Sequence, residues 1–571
     1  MILQPNSKSD SDALSGMKGA EIFHQMLLDE GVEYIFGYPG ATVIPIFDVL
    51  YDSTIRYVQP RHEQGAAHMA DGYARSTGKV GVCIATSGPG ATNLVTGIAT
   101  AHMDSVPMVA FTGQVRSAVI GSDAFQEADM TGITRPITKH NFLVKRVDDL
   151  ARVIREAFHI ARTGRPGPVL VDIAVDATLA KPAARPQVDI MLPGYKPRLG
   201  GHGRQIEAAA AAINASHRPL LYVGGGVIHA GAAPQVRALM DKGQIPAATT
   251  LLGLGSVDET HELSLRMLGM HGCAAANYAV QDCDCLVAIG ARFDDRVTGN
   301  TATFAPKAKI IHIDIDPASI AKNIKADIPV VGDAAAILDS LLPMIQTLRR
   351  GQWLEQVAKW KREYPFTFTS EGGTIKPQQV ISSLGEMTGH DAIVATGVGQ
   401  HQMWTAQYYG FRRPRQMITS GGLGTMGFGC PAAIGAKFGN PRATVIDIDG
   451  DGSFSMTMGE VITAVNYQQA VKFIVLNNNY LGMVRQWQEL FWNRRYSGVN
   501  HPCPDFAAVA EAFGAKGMRV GHPDQLGDAI SAMLRHDGPV VLAVDVAQEE
   551  NVYPMVPAGA SLHEMRLGSL A

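Results

Sequence analysis

Short, continuous runs of apolar residues recur along the chain and alternate with stretches that have helical periodicity. The runs lie at 80–86, 169–175, 220–226, 285–291, 310–315, 392–399, 444–450, 473–479 and 540–546. Continuous rather than alternating runs are typical of parallel strands that helices cover on both faces. Glycines follow many of the runs, as tight strand-to-helix turns require. The pattern predicts a doubly wound α/β fold, with mainly parallel sheets flanked by helices.

Two stretches without strand patterns divide the chain. Residues 181–201 are rich in Pro and Gly, and residues 347–376 form a polar, helix-like segment. At roughly 150 residues per domain, a chain of this length suggests three or four domains. We therefore expect domains at 1–190, 191–345 and 370–571.

The first and third of these pieces share a faint likeness in one Gly-rich segment. Residues 86–99 read TSGPGATNLVTGIA, and residues 420–436 read SGGLGTMGFGCPAAIGA. Two explanations remain open: an old duplication of one domain, or two unrelated glycine turns that each open a helix.

Composition narrows the class of protein. The net charge is −4 and no long basic stretch occurs, so we expect no nucleic-acid partner. No window approaches the roughly 18 apolar residues of a membrane span, and the N-terminus lacks the pattern of a signal or transit peptide. The six cysteines form no CxxC pair and suit reduced thiols. We expect a cytoplasmic enzyme.

The strongest chemical motif is Gly450-Asp451-Gly452-Ser453, which ends one apolar run. Asn478 ends the next run, 27 residues after Asp451. In open parallel sheets, ligands bind at the carboxyl ends of strands. A carboxylate and an amide oxygen there, together with diphosphate oxygens and water, suit octahedral Mg²⁺. The glycines let the backbone approach a phosphate.

A second candidate is Glu63, in the segment QPRHEQGAAHMADGYAR (59–75). It follows an extended run and precedes a helix rich in small residues. One interpretation is an acid that exchanges a proton with a bound cofactor, for which an apolar pocket and a raised pKa are suitable. The alternative is a first-turn carboxylate that stabilises the helix dipole.

The spacing of the GDG and Asn motifs resembles the signature of thiamine-diphosphate enzymes. Further segments resemble the catalytic subunit of acetohydroxyacid synthase (acetolactate synthase), over about residues 17–550. These segments are FGYPGATVIP (36–45), CIATSGPGATN (83–93), VAFTGQV (109–115), GSDAFQE (121–127), ITKHNFLV (137–144), GRPGPVLVDI (164–173), MLGMHG (267–272), GARFDDRVTG (290–299), GVGQHQMW (397–404), GGLGTMGFGCPAAIGA (421–436) and GMVRQWQ (482–488). One position departs from the family, which usually has Gly where this chain has Ala41.

The resemblance implies roles for the residues of a thiamine diphosphate site. Glu63 would engage N1′ of the aminopyrimidine, and the carbonyl of Tyr480 would join Asp451 and Asn478 as the third Mg²⁺ ligand. Met426 would bend the cofactor, and Gln126 would lie at the active-site channel. The other residues expected to line the cofactor are Pro39, Gly40, Gln400, His401, Gly424, Gly452, Ser453 and Met483. In the family Glu63 serves a neighbouring subunit's site, which implies at least a homodimer.

The resemblance also implies FAD in the central domain. Residues 218–227 suggest a strand that runs into a glycine turn, and residues 310–317 end a strand in acids, as ribose-binding loops do. The residues expected to hold FAD are Arg165, Leu268, Gly269, Met270, His271, Arg292, Asp314 and Asp333. Arg is apt for a flavin diphosphate because it forms bidentate contacts. The flavin would perform no net redox step.

The activity that the resemblance implies is the decarboxylation of pyruvate and transfer of the hydroxyethyl unit to pyruvate or 2-ketobutyrate. The products are 2-acetolactate and 2-aceto-2-hydroxybutyrate, precursors of branched-chain amino acids. In the family, a Trp at the position of Trp487 favours 2-ketobutyrate. Alternatives are an FAD-dependent pyruvate oxidase, another thiamine carboligase or decarboxylase, a flavin-free catabolic synthase, or a non-catalytic paralogue. Dimer and tetramer, with or without a small regulatory subunit, remain open.

Overall fold

A computed structural model describes residues 12–369 and 373–568 of the chain. It contains three sheets of six strands, and every pairing between named strands is parallel. Helices cover both faces of each sheet. The predicted α/β fold with repeated doubly wound sheets is therefore confirmed. Within the described ranges, no helix combines the length and the apolar character needed to cross a membrane.

The N-terminal sheet and its helices occupy residues 19–179. The strands are β1 (Tyr34–Tyr38), β2 (Arg56–Val58), β3 (Gly81–Ala85), β4 (Met108–Gln114), β5 (His140–Val144) and β6 (Pro168–Ala174). The helices are α1 (Gly19–Asp29), α2 (Ile44–Leu50), α3 (Glu63–Thr77), α4 (Pro89–Thr92), α5 (Val95–Met103), α6 (Met130–Thr134), α7 (Val147–Arg162) and α8 (Val175–Leu179). The strand order is β2-β1-β3-β4-β6-β5.

The central sheet has a different order. Its strands are β7 (Pro219–Val223), β8 (Ala247–Thr249), β9 (Ser264–Met267), β10 (Cys285–Ile289), β11 (Lys309–Asp314) and β12 (Ile328–Val331). Its helices are α9 (Gly203–Ala215), α10 (Gly225–His229), α11 (Ala233–Gly243), α12 (Ala274–Asp282), α13 (Asp295–Thr298), α14 (Ala334–Leu341) and α15 (Gly351–Glu363). The order β9-β8-β7-β10-β11-β12 is that of dinucleotide-binding folds, whose crevice opens where the order reverses, here between β7 and β10.

The C-terminal sheet repeats the topology of the first. Its strands are β13 (Ile393–Thr396), β14 (Met417–Thr419), β15 (Val445–Gly450), β16 (Val471–Asn477), β17 (Lys516–Val520) and β18 (Val540–Asp545). Its helices are α16 (Pro377–Met387), α17 (Gln400–Tyr408), α18 (Gly429–Gly439), α19 (Asp451–Thr457), α20 (Val461–Asn466), α21 (Gly482–Phe491), α22 (Phe506–Ala512) and α23 (Pro523–Arg535). The order β14-β13-β15-β16-β18-β17 matches the N-terminal order strand for strand, which favours duplication over a chance likeness of two turns.

The two twin sheets are joined directly, through helices α3 and α18. A Cβ on Gly72 would lie 2.0 Å from the carbonyl oxygen of Ala432, and one on Gly435 would lie 1.9 Å from that of Met69. Only glycine allows backbones this close. Apolar side chains of both domains consequently share one buried cluster around this crossing.

Two segments outside the sheets pack onto the central domain. The predicted linker at 347–376 contains α15, whose Trp353 is buried and donates its indole N–H to the carbonyl of Pro219 at 3.0 Å. The chain's last described residues return to the same domain, where Val556 donates its N–H to the carbonyl of Met270 at 2.9 Å. The other predicted linker, 181–201, has neither helix nor strand, and all of its residues are described.

Candidate active site and cofactor cavity

The Asp451 carboxylate lies at the carboxyl edge of the C-terminal sheet, between the ends of neighbouring strands β15 and β16. It accepts the backbone N–H groups of Gly452, Asn478 and Asn479 at 2.7, 3.1 and 2.6 Å. Burial raises the pKa of Asp451 to about 6, and the three backbone donors oppose that rise. The structure thus brings Asp451 and Asn478 together at one strand edge.

The oxygen atoms around this edge fit a hard divalent cation with a phosphate partner. The amide oxygen of Asn478 accepts the N–H of Tyr480 at 3.0 Å and has a second lone pair free for a cation. The buried Oε1 atom of Gln400 has no hydrogen-bond partner among the described residues, so it can accept a hydrogen bond from a bound group. A Cβ at Gly482 would lie 2.2 Å from that oxygen, so this position requires glycine.

Sequence analysis missed the acids beneath this edge, Asp447 and Asp449. Both are buried, and burial raises the pKa of Asp449 to about 7. His401 Nε2 lies 3.3 Å from Asp449 Oδ1, and burial lowers the pKa of His401 to about 3, so its imidazole is neutral. A Cβ at Gly397 would lie 1.9 Å from the Asp449 carboxylate. The Asp-Ile-Asp pattern before the GDG motif was their only sequence signal.

Met426 lies over the start of α19. Ser453 Oγ accepts the N–H of Gly427 at 2.9 Å, which ties the glycine loop to that helix. A Cβ on Gly452 would lie 3.7 Å from the Met426 methyl carbon, and Gly424 has φ +74°. The bulky Met426 side chain therefore lies beside the strand edge that carries Asp451 and Asn478, on a loop whose backbone requires glycine.

Glu63 is the first residue of α3, at the corresponding edge of the N-terminal sheet. It is half-buried, and its Oε2 accepts the side-chain N–H of Asn93 at 3.0 Å. Its Oε1 faces Gly90, where a Cβ would lie 3.2 Å away. The loop of Pro39 and Gly40 ends β1 at the same edge, and the following Ala41 is exposed.

Gln126 is held in an unusual backbone conformation, with φ +60°. Gly88 packs directly on it, since a Cβ there would lie 2.9 Å from the Gln126 Cα. Gln114 donates to the carbonyl of Ala128 at 2.8 Å and to buried Asp172 at 3.0 Å, which anchors the loop to the sheet. Non-glycine residues at positive φ cluster at functional sites because the surroundings must hold them there.

The predicted catalytic residues form two separate groups. Glu63 contacts residues of the N-terminal sheet, and Asp451 contacts loops of the C-terminal sheet. Within the described part of the chain, no hydrogen bond or ion pair joins the two carboxylates. The structure thus places the two predicted groups in different domains of the chain.

A cavity of about 2370 Å³ lies where the three domains meet. Seven of the eight residues predicted to hold a flavin line it, together with two predicted for the thiamine site and Trp487, which is predicted to favour 2-ketobutyrate. The lining includes Arg165, Leu268, Met270, His271, Arg292, Asp314, Asp333, Gly424, Met483 and Trp487. Gly269, the eighth, is not among the lining residues. Its φ is +101°, and it donates its N–H to the side chain of Asn277 at 2.8 Å.

The cavity walls combine glycine turns with fixed polar groups. At the crevice between β7 and β10, a Cβ on Gly226 would lie 2.7 Å from the Cα of Gly290. Arg165 donates to Ser105 Oγ at 2.8 Å and pairs with Asp316 at 3.3 Å. Burial raises the pKa of Asp314 to about 6. A large cavity with a few fixed polar groups suits a nucleotide-sized cofactor.

Helix α21 supplies the C-terminal wall of this cavity. Met483 and Trp487 are one turn apart and both line it. The Arg296 guanidinium lies 5.9 Å from the centre of the Trp487 ring, within cation–π range. Gly424 lines the same cavity, so the glycine loop that carries Met426 also borders the cavity.

Comparisons with known proteins agree with this geometry. Models of thiamine pyrophosphate enzymes match the chain in three parts: the N-terminal TPP binding domain at 17–133, the central domain at 206–341 and the C-terminal TPP binding domain at 397–544. The acetolactate synthase large subunit of Mycobacterium tuberculosis is 49% identical, over 97% of this chain and 92% of its own length.

Two further relatives extend the likeness across distant organisms. The mitochondrial acetolactate synthase catalytic subunit of Saccharomyces cerevisiae is 48% identical, over 96% of this chain and 83% of its own length. The acetolactate synthase isozyme 3 large subunit of Escherichia coli is 45% identical, over 96% and 98% respectively. The chain therefore belongs to the thiamine pyrophosphate enzymes and, among them, to the family of acetolactate synthase large, or catalytic, subunits.

Proposed function

We propose that the chain decarboxylates pyruvate and joins the hydroxyethyl unit to a second pyruvate or to 2-ketobutyrate. The products would be 2-acetolactate and 2-aceto-2-hydroxybutyrate, which lead to valine, leucine and isoleucine. The observation that carries the proposal is the pairing of Asp451 with Asn478 at adjacent strand ends, in a chain whose acetolactate synthase relatives match it over nearly its whole length. Glu63 in the twin sheet supplies the second carboxylate that this chemistry needs.

The protein's part in this chemistry is to bind, orient and move one proton. Asp451, the Asn478 side chain and the Tyr480 carbonyl would hold Mg²⁺ and, through it, a diphosphate. Glu63 would exchange a proton with N1′ of the aminopyrimidine, and the Met426 side chain would pack against the bound cofactor and help to position that ring. Thiamine diphosphate, when bound, supplies the electron sink for decarboxylation.

We propose that the protein is a homodimer or a tetramer of such dimers. In either assembly, the Glu63 group of one chain would meet the Asp451 group of another across the dimer interface. Glu63 begins a helix of the N-terminal domain and Asp451 a helix of the C-terminal domain, and the proposed chemistry needs both groups at one cofactor. Phe125, beside Gln126, is 89% exposed, and Ile44 and Met456 are also exposed. Large apolar side chains exposed near a carboxyl strand edge favour burial against another copy. The relatives' names, "large" and "catalytic" subunit, also support a smaller regulatory partner.

We propose that FAD occupies the three-domain cavity. The strand order of the central sheet and the arginines Arg165 and Arg292 in the wall support a dinucleotide with a diphosphate. The flavin would undergo no net redox change, in contrast to pyruvate oxidase. Asp333, which caps α14, would lie near the adenine end.

Product analysis tests the reaction. Purified protein would be incubated with thiamine diphosphate, Mg²⁺, FAD and equal concentrations of pyruvate and 2-ketobutyrate. We expect mainly 2-aceto-2-hydroxybutyrate without net flavin reduction. Trp487→Leu should lower its ratio to acetolactate by about tenfold, since one methylene is worth roughly 10–200-fold in discrimination. Trp492→Leu, at the end of the same helix, is the matched control. Acetate or acetyl phosphate with peroxide would make this an oxidase.

Glu63→Gln tests the proton-transfer role. Turnover should fall by at least about 100-fold, because general acid–base groups contribute roughly 10²–10⁴-fold, while thiamine diphosphate still binds. Glu21→Gln is the matched control, because Glu21 is likewise a first-turn helix carboxylate, in α1. Equal, small effects in both variants would assign Glu63 to helix stabilisation alone.

A further inference from the structure

A buried carboxylate of the C-terminal domain contacts the backbone immediately before Glu63. Glu460 ends a 3-10 turn that follows α19, the helix that begins with Asp451. Its side chain is 2% exposed and points across the domain boundary into the N-terminal domain. The mechanism proposed above does not use it.

The contacts of Glu460 concentrate on the entry to α3. Its Oε1 accepts the N–H groups of Arg61 and His62 at 3.0 and 3.1 Å. Its Oε2 accepts the same Arg61 N–H at 3.0 Å and the Thr463 hydroxyl at 2.7 Å. Two successive backbone donors, directly before Glu63, are therefore fixed by one side chain from a region about 400 residues away in the chain.

The neighbouring sequence is adapted to this carboxylate. Gly65 lies in the first turn of α3, where a Cβ would lie 2.2 Å from Glu460 Oε1, so any larger residue would displace the carboxylate. Tyr467, beyond the end of α20, accepts the N–H of Gln59 at 2.8 Å. Residues 59–62 are thus held to the C-terminal domain at both ends.

The simplest alternative is that Glu460 only satisfies buried donors and stabilises the domain contact. Helix α3 has its own cap, however, because the His62 ring accepts the N–H of Gln64 at 3.1 Å. The N–H groups of Arg61 and His62, which Glu460 accepts, precede the helix. Their positions therefore determine where α3 begins and where the Glu63 carboxylate meets Asn93. Burial raises the pKa of Glu460, and the hydrogen bonds from Thr463, Arg61 and His62 oppose that rise.

We propose that Glu460 is a positioning residue for Glu63. It fixes the extended segment 59–62, so that the Glu63 carboxylate stays where it can exchange a proton with the aminopyrimidine. The inference rests on the function proposed above for Glu63. A misplacement of about 1 Å in such a group can reduce a rate about 100-fold, so a remote clamp of this kind has a measurable effect.

The test uses Glu460→Gln in the full-length holoenzyme. The variant is isosteric, but its amide group presents donors where Oε2 accepts the Arg61 N–H. Hydrogen–deuterium exchange at C2 of bound thiamine diphosphate, measured by NMR after acid quench, reports Glu63 function without pyruvate. We expect exchange and kcat to fall together by at least tenfold, with KM for pyruvate and Kd for thiamine diphosphate changed less than threefold.

Two further variants separate positioning from stability. Gly65→Ala should reproduce the loss of C2 exchange, because its Cβ displaces the Glu460 carboxylate without changing Glu460. Glu156→Gln is the control: Glu156 is also buried and also accepts a backbone N–H, from Met191 at 2.9 Å, but lies in α7. It should leave the exchange rate unchanged whatever it does to Tm.

The outcomes are distinguishable. A wild-type C2 exchange rate in folded Glu460→Gln or Gly65→Ala would overturn the positioning role, as would a loss that only parallels the fall in Tm across all three variants. Neither result would affect the proposed reaction, which is judged by the wild-type products. Absence of acetohydroxy acids from wild-type protein would instead reject the reaction, whatever the exchange rates.

Discussion

At the residue scale, several buried aspartates have pKa values well above the ordinary value for a carboxyl group. Burial raises the pKa to about 6 for Asp451 and Asp314 and to about 7 for Asp449 and Asp172. In each case backbone or side-chain donors oppose the rise. The acids therefore lie near the boundary between charged and neutral forms, so a bound ligand can determine the form that each adopts.

Asp172 provides a pH test, because it contacts Thr112 and Gln114 and lies away from the metal ligands. Its folded-state pKa is raised from 3.8 to about 7. The stability it contributes is complete below pH 3.8 and is lost as the pH rises through about 7. Asp172→Asn mimics the protonated form and does not titrate. Its stability relative to wild type should therefore grow, by up to about 4 kcal/mol, between pH 4 and pH 8.

Urea unfolding of both proteins at several pH values would measure that difference. Asp176→Asn is the control, since the pKa of Asp176 is lowered and its carboxylate is charged across the range. A constant difference in unfolding free energy between wild type and Asp172→Asn would show that Asp172 is charged in the folded protein throughout.

At the residue scale, the sequence predicted which residues meet where a motif is local, but not where a contact joins distant parts of the chain. Asp451 and Asn478 end consecutive apolar runs, so parallel topology alone predicts that they approach each other. Glu460 has no such signal, because its partners Arg61 and His62 lie in another domain. The apposition of Gln126 and Gly88 likewise depends on backbone angles that no pattern of residue types reveals.

At the scale of elements, close helix contacts define how the domains join. The crossing of α3 and α18 depends on Gly72 and Gly435, each against a carbonyl of the other helix. The apolar runs predicted the strands well, because a strand covered on both faces has few polar positions. They did not predict that α15 belongs to the central domain: most of its residues are polar, and only Trp353 and Val357 among its described residues are buried.

Gly72→Ala tests the helix crossing. The added methyl would lie 2.0 Å from the Ala432 carbonyl, so the helices must separate, and we expect a loss of more than about 2 kcal/mol of unfolding free energy. Gly527→Ala in α23 is the control, since nothing lies within 4 Å of its Cβ. That change should stabilise by about 0.4–1 kcal/mol. Similar Tm values for the two variants would contradict the crossing's role.

At the scale of the whole molecule, the proposed active site shared between two chains predicts that activity depends on assembly. Phe125→Asp should weaken self-association at least tenfold, because a charge replaces an apolar side chain that we expect to be buried between copies. Specific activity should then fall on dilution, and sedimentation velocity should show smaller species. Met387→Asp, an exposed apolar residue at the opposite end of the C-terminal sheet, is the control. Concentration-independent activity in Phe125→Asp would exclude a shared active site at this surface.

The twin sheets contact each other directly, and the central domain is reached through residues 180–202 on one side and the stretch after α15 on the other. In evolutionary terms, the matching strand orders favour a duplicated pair of domains with the central domain inserted between them. Because residues of all three domains line the cavity, selection for a new cavity ligand would act on the N- and C-terminal domains as well as on the central one. Gly424 and Met483, which line the cavity and are also predicted for the thiamine site, would have to remain compatible with both.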